Sequence, residues 1–439
     1  SAREHRHWAA DYYLEHSRLV SFENETLAGE SLWRAATLYE KAADIQIAEA
    51  VSNAALEKKV AVDRASAIEA YTEHFRNRPN DPKRAESMHR LGMLYLQTGN
   101  HLMDQARRHD LLAQRDPSGE AEVHRTRARE ARTQAHAYFR DAVETFGQLN
   151  AQKPRSPFAI ASQVPWALAY LKMGPSFIAE AEQRLKAVVQ DHPTLSLGSR
   201  EYRRALITLG DLYAQRGRDG DYRRAVDYYQ MALDQDLREA EETGRSTRAD
   251  VQLMYKIGDA RRKAVLQLDD FLGRHAQPPK RRRVLEEIRT RHFQAARKMF
   301  DAVIRAYEKK TEPLTPREIQ QYRSSYFYRA DSAYELKKFE GEGGAIELYQ
   351  SAAVKFANHP MALIAEIQLY NIHTELKQTQ KAKAAVQRAK AKLKAVRKQA
   401  FERSTQVMSR QYWQRWLNWS AEHLDEPRSM NNVAKTTDL

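Results

Sequence analysis

Apolar residues recur at intervals of three and four along most of this chain, and strict alternation of apolar and polar residues is almost absent. Intervals of three and four place side chains on one face of an α-helix, whereas alternation is typical of strands. Trp33, Ala36, Tyr39 and Ala43 show the helical pattern near the N-terminus. Glycine (16) and proline (14) are scarce among the 439 residues, which favours long helices with few turns. We therefore predict an all-α protein.

A short motif recurs within these predicted helices. In LGDLYAQRG, Leu209 to Gly217, a glycine is followed by tyrosine three places on and by a second glycine seven places on. The same intervals occur in LGMLYLQTG, Leu91 to Gly99. An interior glycine costs a helix about 1 kcal/mol relative to alanine, so Gly210 must provide a packing advantage in return. Less regular copies contain Ala167, Tyr170 and Gly174, and Asp331, Tyr334 and Lys338.

A second predicted helix follows each motif and carries small, aromatic and small residues four and three places apart. This spacing places all three on one helical face. Proline then ends the helix and begins the next unit, as at Pro79, Pro193 and Pro360. The clearest second-helix sets are Ala225, Tyr229 and Ala232; Ala135, Phe139 and Ala142; and Ala345, Tyr349 and Ala352.

This pattern resembles the tetratricopeptide repeat (TPR). The resemblance implies a right-handed α-solenoid of stacked helical hairpins, in which Gly210 removes a Cβ where the neighbouring helix passes. It covers residues 63–395, flanked by N-terminal capping helices at 1–62 and by a tryptophan-containing cap helix and disordered tail at 396–439. Because most units exceed the standard length of about 34 residues, we expect charged helical insertions at about 101–134 and 236–292. These insertions lengthen helices or add hairpins.

The net charge of +14 favours acidic partners, or else a solvated basic surface. Lys280–Arg283 follows two prolines in a predicted loop, and Lys377–Arg403 forms a predicted amphipathic helix with ten basic residues and one acid. Lys280–Arg283 is either a solvated loop or a patch for nuclear import or phosphate binding. Lys377–Arg403 is either a last repeat helix with a solvated outer face or a contact for an acidic partner or lipid headgroups. The candidate basic residues are Lys280, Arg281, Arg282, Arg283, Lys390, Lys392, Lys394, Arg397 and Lys398.

Three tryptophans, Trp413, Trp416 and Trp419, come three places apart near the C-terminus and share a drifting stripe of a predicted helix. The open end of a repeat array needs a cap that shields its core, and this stripe is suited to that task. The alternative is an anchor for a partner or a membrane surface.

No motif predicts catalysis. Gly341, Gly343 and Gly344 lack the preceding strand of a phosphate-binding loop and indicate a turn between two helices. The chain has no cysteine, which excludes disulfides, thiolate zinc sites and cysteine nucleophiles, and its fifteen histidines show no HExxH spacing. No run of about 18 apolar residues is present that would span a membrane. We expect neither an enzyme nor a cofactor or metal site.

We expect a non-enzymatic scaffold that binds a partner peptide or helix on the concave surface of the solenoid. Resemblance to the repeat family assigns this surface to places two, five, nine and twelve of each first helix. The alternative is an electrostatic binder of nucleic acid or anionic membrane, whose binding weakens steeply with salt. The concave residues implied by the resemblance are Glu86, His89, Met93 and Leu96; Arg204, Ile207, Asp211 and Ala214; and Ser325, Tyr328, Ser332 and Glu335.

Two further expectations concern assembly and location. Exposed repeat faces allow self-association with a second copy of the chain. The linkage between consecutive units is similar to that of bacterial cell-envelope TPR proteins, which favours a cell-envelope or periplasmic location over the cytoplasm. The start at Ser1, without methionine, is compatible with a removed signal or anchor.

Overall fold

The computed structural model describes residues 2–21, 23–44, 54–115, 119–190, 199–243, 250–402 and 408–422. Throughout these ranges the regular structure is helical and no strand occurs, so the all-α prediction is confirmed. The chain divides into two compact units, Ser1–Leu209 and Gly210–Leu439. Pro193 and the tail predicted to be disordered lie outside the described residues.

Unit 1 is a succession of helices in which each helix packs against the next. A 3-10 turn at Pro175–Phe177 links its last two helices. The fully buried Tyr71, Phe139 and Phe146 lie among small and aliphatic side chains between the helices. The helices are α1 (Ala2–Val20), α2 (Glu25–Asp44), α3 (Ala54–Asn77), α4 (Arg84–Arg115), α5 (Ala121–Gln152), α6 (Pro157–Met173) and α7 (Ile178–Gln190).

Unit 2 repeats this arrangement, and α8 (Arg200–Arg216) spans the division between the units. Its core continues from Ile304 through Tyr349 and Leu369 to Trp413. The other helices are α9 (Asp221–Thr243), α10 (Val251–Arg274), α11 (Pro279–Glu308), α12 (Pro316–Glu335), α13 (Ala345–Lys355), α14 (Met361–Glu375), α15 (Thr379–Ala395), α16 (Lys398–Glu402) and α17 (Arg410–Glu422).

Polar side chains define where several helices begin. Asp250 accepts hydrogen bonds from the backbone N–H groups of Gln252 and Leu253 at the start of α10. Thr315 and Glu318 form a reciprocal capping box at the start of α12. These contacts satisfy N–H groups that have no partner within the helix, and so they fix the first turn.

Glycine and an aromatic ring interlock in three of the helix pairs, α4–α5, α8–α9 and α10–α11. A Cβ added to Gly210 would overlap the ring of Tyr229, and one added to Gly92 would overlap the ring of Phe146. Gly99 and Gly258 face Phe139 and Phe300 in the same way, at 2.5 and 2.8 Å from the position of the added Cβ. The packing role predicted for Gly210 is therefore confirmed, because a Cβ at that position would overlap the Tyr229 ring.

The α4–α5 pair explains the first predicted insertion. Both helices contain 32 residues, and they pack along one another as a single long hairpin. Residues 101–134 therefore lengthen one pair of helices, apart from residues 116–118, which lie outside the described chain.

The second predicted insertion contains one whole helix and the ends of its two neighbours. Residues 236–292 comprise the end of α9, all of α10 and the start of α11, with 244–249 outside the described residues. Because Gly258 of α10 interlocks with Phe300 of α11, α10 is itself the first helix of a pair. The sequence motif is hidden here because position 261, three places after Gly258, is arginine instead of tyrosine.

The basic C-terminal segment is also divided differently from the prediction. Instead of one helix, α15 ends at Ala395, Val396 adopts an extended conformation, and the short α16 follows. The predicted apolar stripe is correct, since Val386, Ala389, Leu393 and Val396 are buried. The turn predicted at Gly341–Gly344 is confirmed between α12 and α13, with Gly341 and Gly343 at positive φ.

Candidate protein-binding surface

Helices α4, α6, α8, α10, α12 and α14 are the first members of their pairs, and several of them lie side by side within one unit. Among helices two apart in the chain, close contact joins α4 to α6 in unit 1, and α10 to α12 and α12 to α14 in unit 2. Each of these contacts is between two first helices. Within each unit, these contacts between helices two apart join first helices, so the first helices form the inner layer of that unit's hairpins.

In unit 1 the candidate residues of α4 lie partly at the surface. Glu86 is half-buried and pairs with Arg90 at 2.8 Å, and Met93 packs beside the core of the α4–α5 pair. Leu96 is only 6% exposed and belongs to that core, so it is removed from the candidate surface. At that position a side chain turns towards α5, where burial of apolar area is favourable.

His89 connects α4 to α6. Its Nδ1 lies 2.7 Å from the Ser162 hydroxyl, and its ring stands beside Phe146 and Phe158. Burial, and next the positive charge of Arg90, lowers the pKa of His89 to about 4. The imidazole is therefore neutral at pH 7 and acts as a hydrogen-bonding group.

The next set of candidates lies on α8, with two residues on each side of the division between the units. Arg204 is exposed and Ile207 is half-buried in unit 1. In unit 2, Ala214 is half-buried and Asp211 is exposed, and the Asp211 carboxylate accepts hydrogen bonds from Tyr229 at 2.6 Å and Lys256 at 2.6 Å. Asp211 therefore joins three helices, α8, α9 and α10.

A tyrosine hydroxyl that donates to a carboxylate on a neighbouring helix recurs in the molecule. Tyr349 donates to Asp331 at 2.5 Å in unit 2, as Tyr229 donates to Asp211. In unit 1, Tyr71 donates to Glu40, which also pairs with Arg90. A charge-assisted bond of this kind is stronger than a neutral one.

The inner residues of α10 were missed by sequence reasoning because Gly258 was not recognised. Asp259 follows Gly258 as Asp211 follows Gly210, and it pairs with Arg262 at 3.2 Å and Lys263 at 3.1 Å. The Arg262 guanidinium stacks over the Tyr328 ring of α12, 4.2 Å from its centroid. The sequence signal for these inner residues is a glycine followed by aspartate. The glycine lies where the aromatic ring of the second helix packs.

These contacts join three successive first helices of unit 2 into one polar and aromatic strip. We call it the inner strip: Asp211, Lys256, Asp259, Arg262 and Tyr328. Asp211 is 49% exposed, whereas Lys256 and Asp259 are each 23% and Arg262 is 13% exposed. The ion pairs and the arginine–aromatic stacking hold these partly exposed side chains in place.

The third candidate set is placed one residue out of register. Tyr349 follows Ala330 by the same interval that separates Tyr229 from Gly210, so Ala330 is the equivalent of Gly210. One residue is about 100° of helical rotation, which turns Ser325 and Ser332 into the core. Both serines are 0% exposed. Their hydroxyls donate to backbone carbonyls of their own helix, so they offer no open surface.

The other two members of that set remain near the surface. Tyr328 belongs to the inner strip and also lies 5.5 Å from the ring of Phe300. Glu335 is half-buried and forms an ion pair with Arg289 of α11, whose guanidinium also contacts Asp269 at 2.8 Å.

The first basic candidates lie in a helix and not in the predicted loop. Lys280, Arg281, Arg282 and Arg283 form the exposed first turn of α11, because Pro279 occupies its first position. Glutamates one turn later partly neutralise this charge: Arg282 approaches Glu286 and Arg283 approaches Glu287.

The remaining basic candidates divide between surface and packing. Lys394, Arg397 and Lys398 are exposed, whereas Lys390 and Lys392 are half-buried. The Lys392 ammonium donates to the backbone carbonyl of Ala353. Half-buried lysines of this kind extend their methylene stems along apolar surface, so they offer less free charge than the sequence suggests.

Neither a cluster of metal ligands nor a membrane-spanning helix occurs among the described residues. Within the part of the chain that the structure describes, no group of three or more histidine, aspartate or glutamate side chains is arranged to hold a metal ion. Over the same residues, no helix is both long and apolar enough to cross a membrane.

Comparison with known proteins finds similarity among solved structures. No family model matches the sequence, and no curated protein matches it. A tetratricopeptide repeat protein from Parabacteroides merdae is similar at 13% identity over 80% of this chain and 92% of that chain, with a TM-score of 0.30. The Cut9–Hcn1 structure of the APC/C matches at 13% identity over 88% of this chain and 64% of that chain, with a TM-score of 0.29. Yeast Tom70 matches at 10% identity over 95% and 97%, with a TM-score of 0.19.

The geometry of the helix pairs is sufficient to assign the fold, without the comparisons. Successive antiparallel pairs, glycine–aromatic interlocks and side-by-side first helices make the fold TPR-like. The chain is a repeat protein built from stacked helical hairpins, as its sequence motif predicts.

Proposed function

We propose that this chain is a non-enzymatic scaffold that binds a segment of a partner protein along the inner layer of its first helices. The inner strip of unit 2 is the observation that carries the proposal. It presents two carboxylates, two cations and a phenol ring on three neighbouring helices. A surface with spaced charges of both signs and aromatic area suits an extended peptide or one face of a helix.

The side chains of the inner strip are already ordered before a partner arrives. Lys256 is held by Asp211, and Arg262 is held by Asp259 and Tyr328. Ordering a long side chain during binding costs about 0.5–1.5 kcal/mol, so a preformed strip loses less on association. In unit 1, Glu86, His89 and Met93 are the corresponding surface.

The ends of the chain fit the same proposal. Trp413 and Leu417 of α17 are buried against the core of unit 2, and α17 packs on α15. We assign α17 as a cap and helices α1 and α2 as its N-terminal counterpart. The Trp419 side chain lies outside the described residues.

A matched pair of charge-reversed variants tests the binding surface. The first combines Lys256→Glu with Arg262→Glu on the inner strip. The second combines Lys298→Glu with Arg305→Glu, which are exposed on the second helix α11. Both variants change the net charge equally, so non-specific electrostatic effects are the same. Affinity capture from a lysate with mass spectrometry should recover the same proteins with the wild type and the α11 variant, and lose them with the inner-strip variant.

Circular dichroism of both variants gives the necessary control for folding. If both helical contents match the wild type and capture is equal for all three proteins, the inner strip is not the binding surface. If the α11 variant loses the captured proteins and the inner-strip variant keeps them, the partner binds the second helices instead.

The second candidate function is electrostatic binding of nucleic acid or anionic membrane. It is favoured by the exposed first turn of α11, where Lys280 and Arg281 are followed by the exposed Val284 and Ile288. Titration of the full chain with nucleic acid and with anionic vesicles at two salt concentrations tests it, since phosphate contacts weaken steeply with salt. Absence of binding at low salt would remove this candidate.

A further inference from the structure

Two histidines face each other across the outer part of the α4–α5 hairpin. The Nδ1 atoms of His109 and His124 are 3.2 Å apart, and the ring centroids are 5.4 Å apart with an angle of 27° between the ring planes. The centroids are farther apart than the nitrogens. The rings therefore meet edge to edge with their Nδ1 atoms converging, and do not stack face to face.

This spacing is close to that of two nitrogen ligands on one metal ion. Imidazole nitrogens bind zinc at 2.0–2.1 Å, which places two of them about 3.3–3.4 Å apart around a tetrahedral ion. Imidazole is a preferred ligand of Zn²⁺, Ni²⁺ and Cu²⁺. We propose that His109 and His124 form a two-histidine site for a divalent ion of this group, bound through both Nδ1 atoms. No third acidic or histidine ligand completes a cluster in the described residues, so water fills the remaining positions.

The contact between the two rings can be exchanged for metal coordination. Metal coordination needs the neutral form of each imidazole. Without metal, one Nδ1–H group donates to the other Nδ1 atom. When the ion binds, the donating ring changes tautomer: its proton moves through solvent to Nε2, and Nδ1 becomes a ligand.

The surrounding positive charge is largely compensated by carboxylates. Arg108 pairs with Glu57 at 2.8 Å, and Arg132 pairs with Asp110. Glu122 holds both Arg125 and Arg129. Arg127 is exposed, where solvent and salt screen its charge. A divalent ion therefore meets a weaker repulsion than the number of arginines suggests.

The site lies in the part of the hairpin where few large side chains are buried between the two helices. The buried cluster near it consists of Ala106, Ala128 and Ala131. A metal ion that bridges His109 and His124 would join the two helices at this thin part. Binding to the folded state alone stabilises that state by RT ln(1 + [M]/Kd), so the stabilisation rises with the logarithm of the metal concentration above Kd.

Calorimetric titration of the full chain, prepared without a polyhistidine tag, tests the site directly. We expect NiCl₂ and ZnCl₂ each to bind the wild type with one ion held by this pair. His109→Gln and His124→Gln should each weaken that binding at least about tenfold, because one ligand of two is lost. His136→Gln is the matched control, since His136 is an exposed histidine of the same helix α5. Equal binding by all four proteins, or no binding by the wild type, would overturn the proposal.

Thermal unfolding gives an independent readout. Addition of NiCl₂ should raise the unfolding midpoint of the wild type and of His136→Gln, and EDTA should reverse the rise. The midpoints of the His109→Gln and His124→Gln variants should not respond to the metal. A rise of the same size in those two variants would show that the stabilising ion binds elsewhere.

Discussion

The two halves of the α4–α5 hairpin show two ways of holding a pair of helices together. In the inner half, residues 84–100 and 135–152, Phe146 packs onto Gly92 and Phe139 packs onto Gly99. Both phenylalanines are 0% exposed. In the outer half, residues 101–115 and 119–134, three alanines make the core and ion pairs such as Asp110–Arg132 connect the helices.

This difference shows that a helix pair can be long without burying large side chains along its whole length. The inner half buries large aromatic area, which supplies most of the stabilisation between helices. The outer half keeps the helices close with small residues and adds exposed ion pairs, which contribute about 0–1 kcal/mol each. Substitutions of similar kind should therefore have unequal effects in the two halves.

The largest effect is expected for Phe146→Ala in the inner half. Removal of a buried phenylalanine leaves a cavity and typically costs about 3–5 kcal/mol. The matched change in the outer half is Leu112→Ala, where the side chain is 48% exposed and the loss should stay near about 0.5 kcal/mol. Denaturation by urea, followed by circular dichroism, measures both. Similar losses for the two variants would contradict the division into halves.

Two glycine substitutions in the same hairpin should change the free energy of unfolding by smaller amounts and in opposite directions. Gly92→Ala should destabilise by about 1–3 kcal/mol, because the new Cβ overlaps the Phe146 ring and overpacking exceeds the gain in helix propensity. Gly147→Ala should stabilise by up to about 1 kcal/mol, since its Cβ would sit at an ordinary 3.5 Å from Trp166. The shift of the urea midpoint gives the sign, and a stabilising Gly92→Ala would refute the interlock.

A pH-dependent effect is expected at His89, which lies in the inner half. The unfolded chain takes up the proton near pH 6.5, whereas the folded chain does so only near pH 4. Between these values the unfolded state binds more protons, so the free energy of unfolding falls as the pH falls. The contribution is about 1.4 kcal/mol for each pH unit. His89→Gln should flatten the dependence of stability on pH between 6.5 and 4 relative to the wild type, and an unchanged slope would rule out this role.

The smallest effect is expected for Asp110→Asn in the outer half. Its ion pair with Arg132 is partly exposed, with 35% and 40% of the two side chains accessible, so the loss should be about 0–1 kcal/mol. It should shrink further in 0.5 M salt, because added ions screen the pair. Amide hydrogen exchange of the hairpin measures the change locally. A loss as large as that of Phe146→Ala would mean that the outer half depends on its charges.

Much of the fold could be predicted because the packing motif is local in sequence. Gly210 and Tyr229 are close along the chain, so their pairing is visible as a spacing between two helices. Gly258 and Phe300 form the same contact across much longer helices, and position 261 lacks the usual tyrosine. The spacing then no longer reveals the pair, and the sequence predicts an insertion where the structure has the first helix of a pair.

The candidate surface was less predictable, because it depends on helix rotation. A register that aligns Asp331, instead of Ala330, with Gly210 differs by one residue and exchanges core and surface for Ser325 and Ser332. Charge alone was misleading in a similar way, since Lys392 is partly engaged in packing. The hydrogen bond from Tyr349 to Asp331 sets the register, and only the folded structure reveals it.

By itself the sequence determined that this protein is all-α and built from helical pairs, because helical periodicity and small residues at crossings are properties of nearby positions. The tertiary structure alone decided which side chains meet across helices: the inner strip, the register of α12, and the converging pair His109 and His124. The physical reason is that such contacts depend on the rotation and separation of packed helices, which are set by the whole interface between them and not by any short segment.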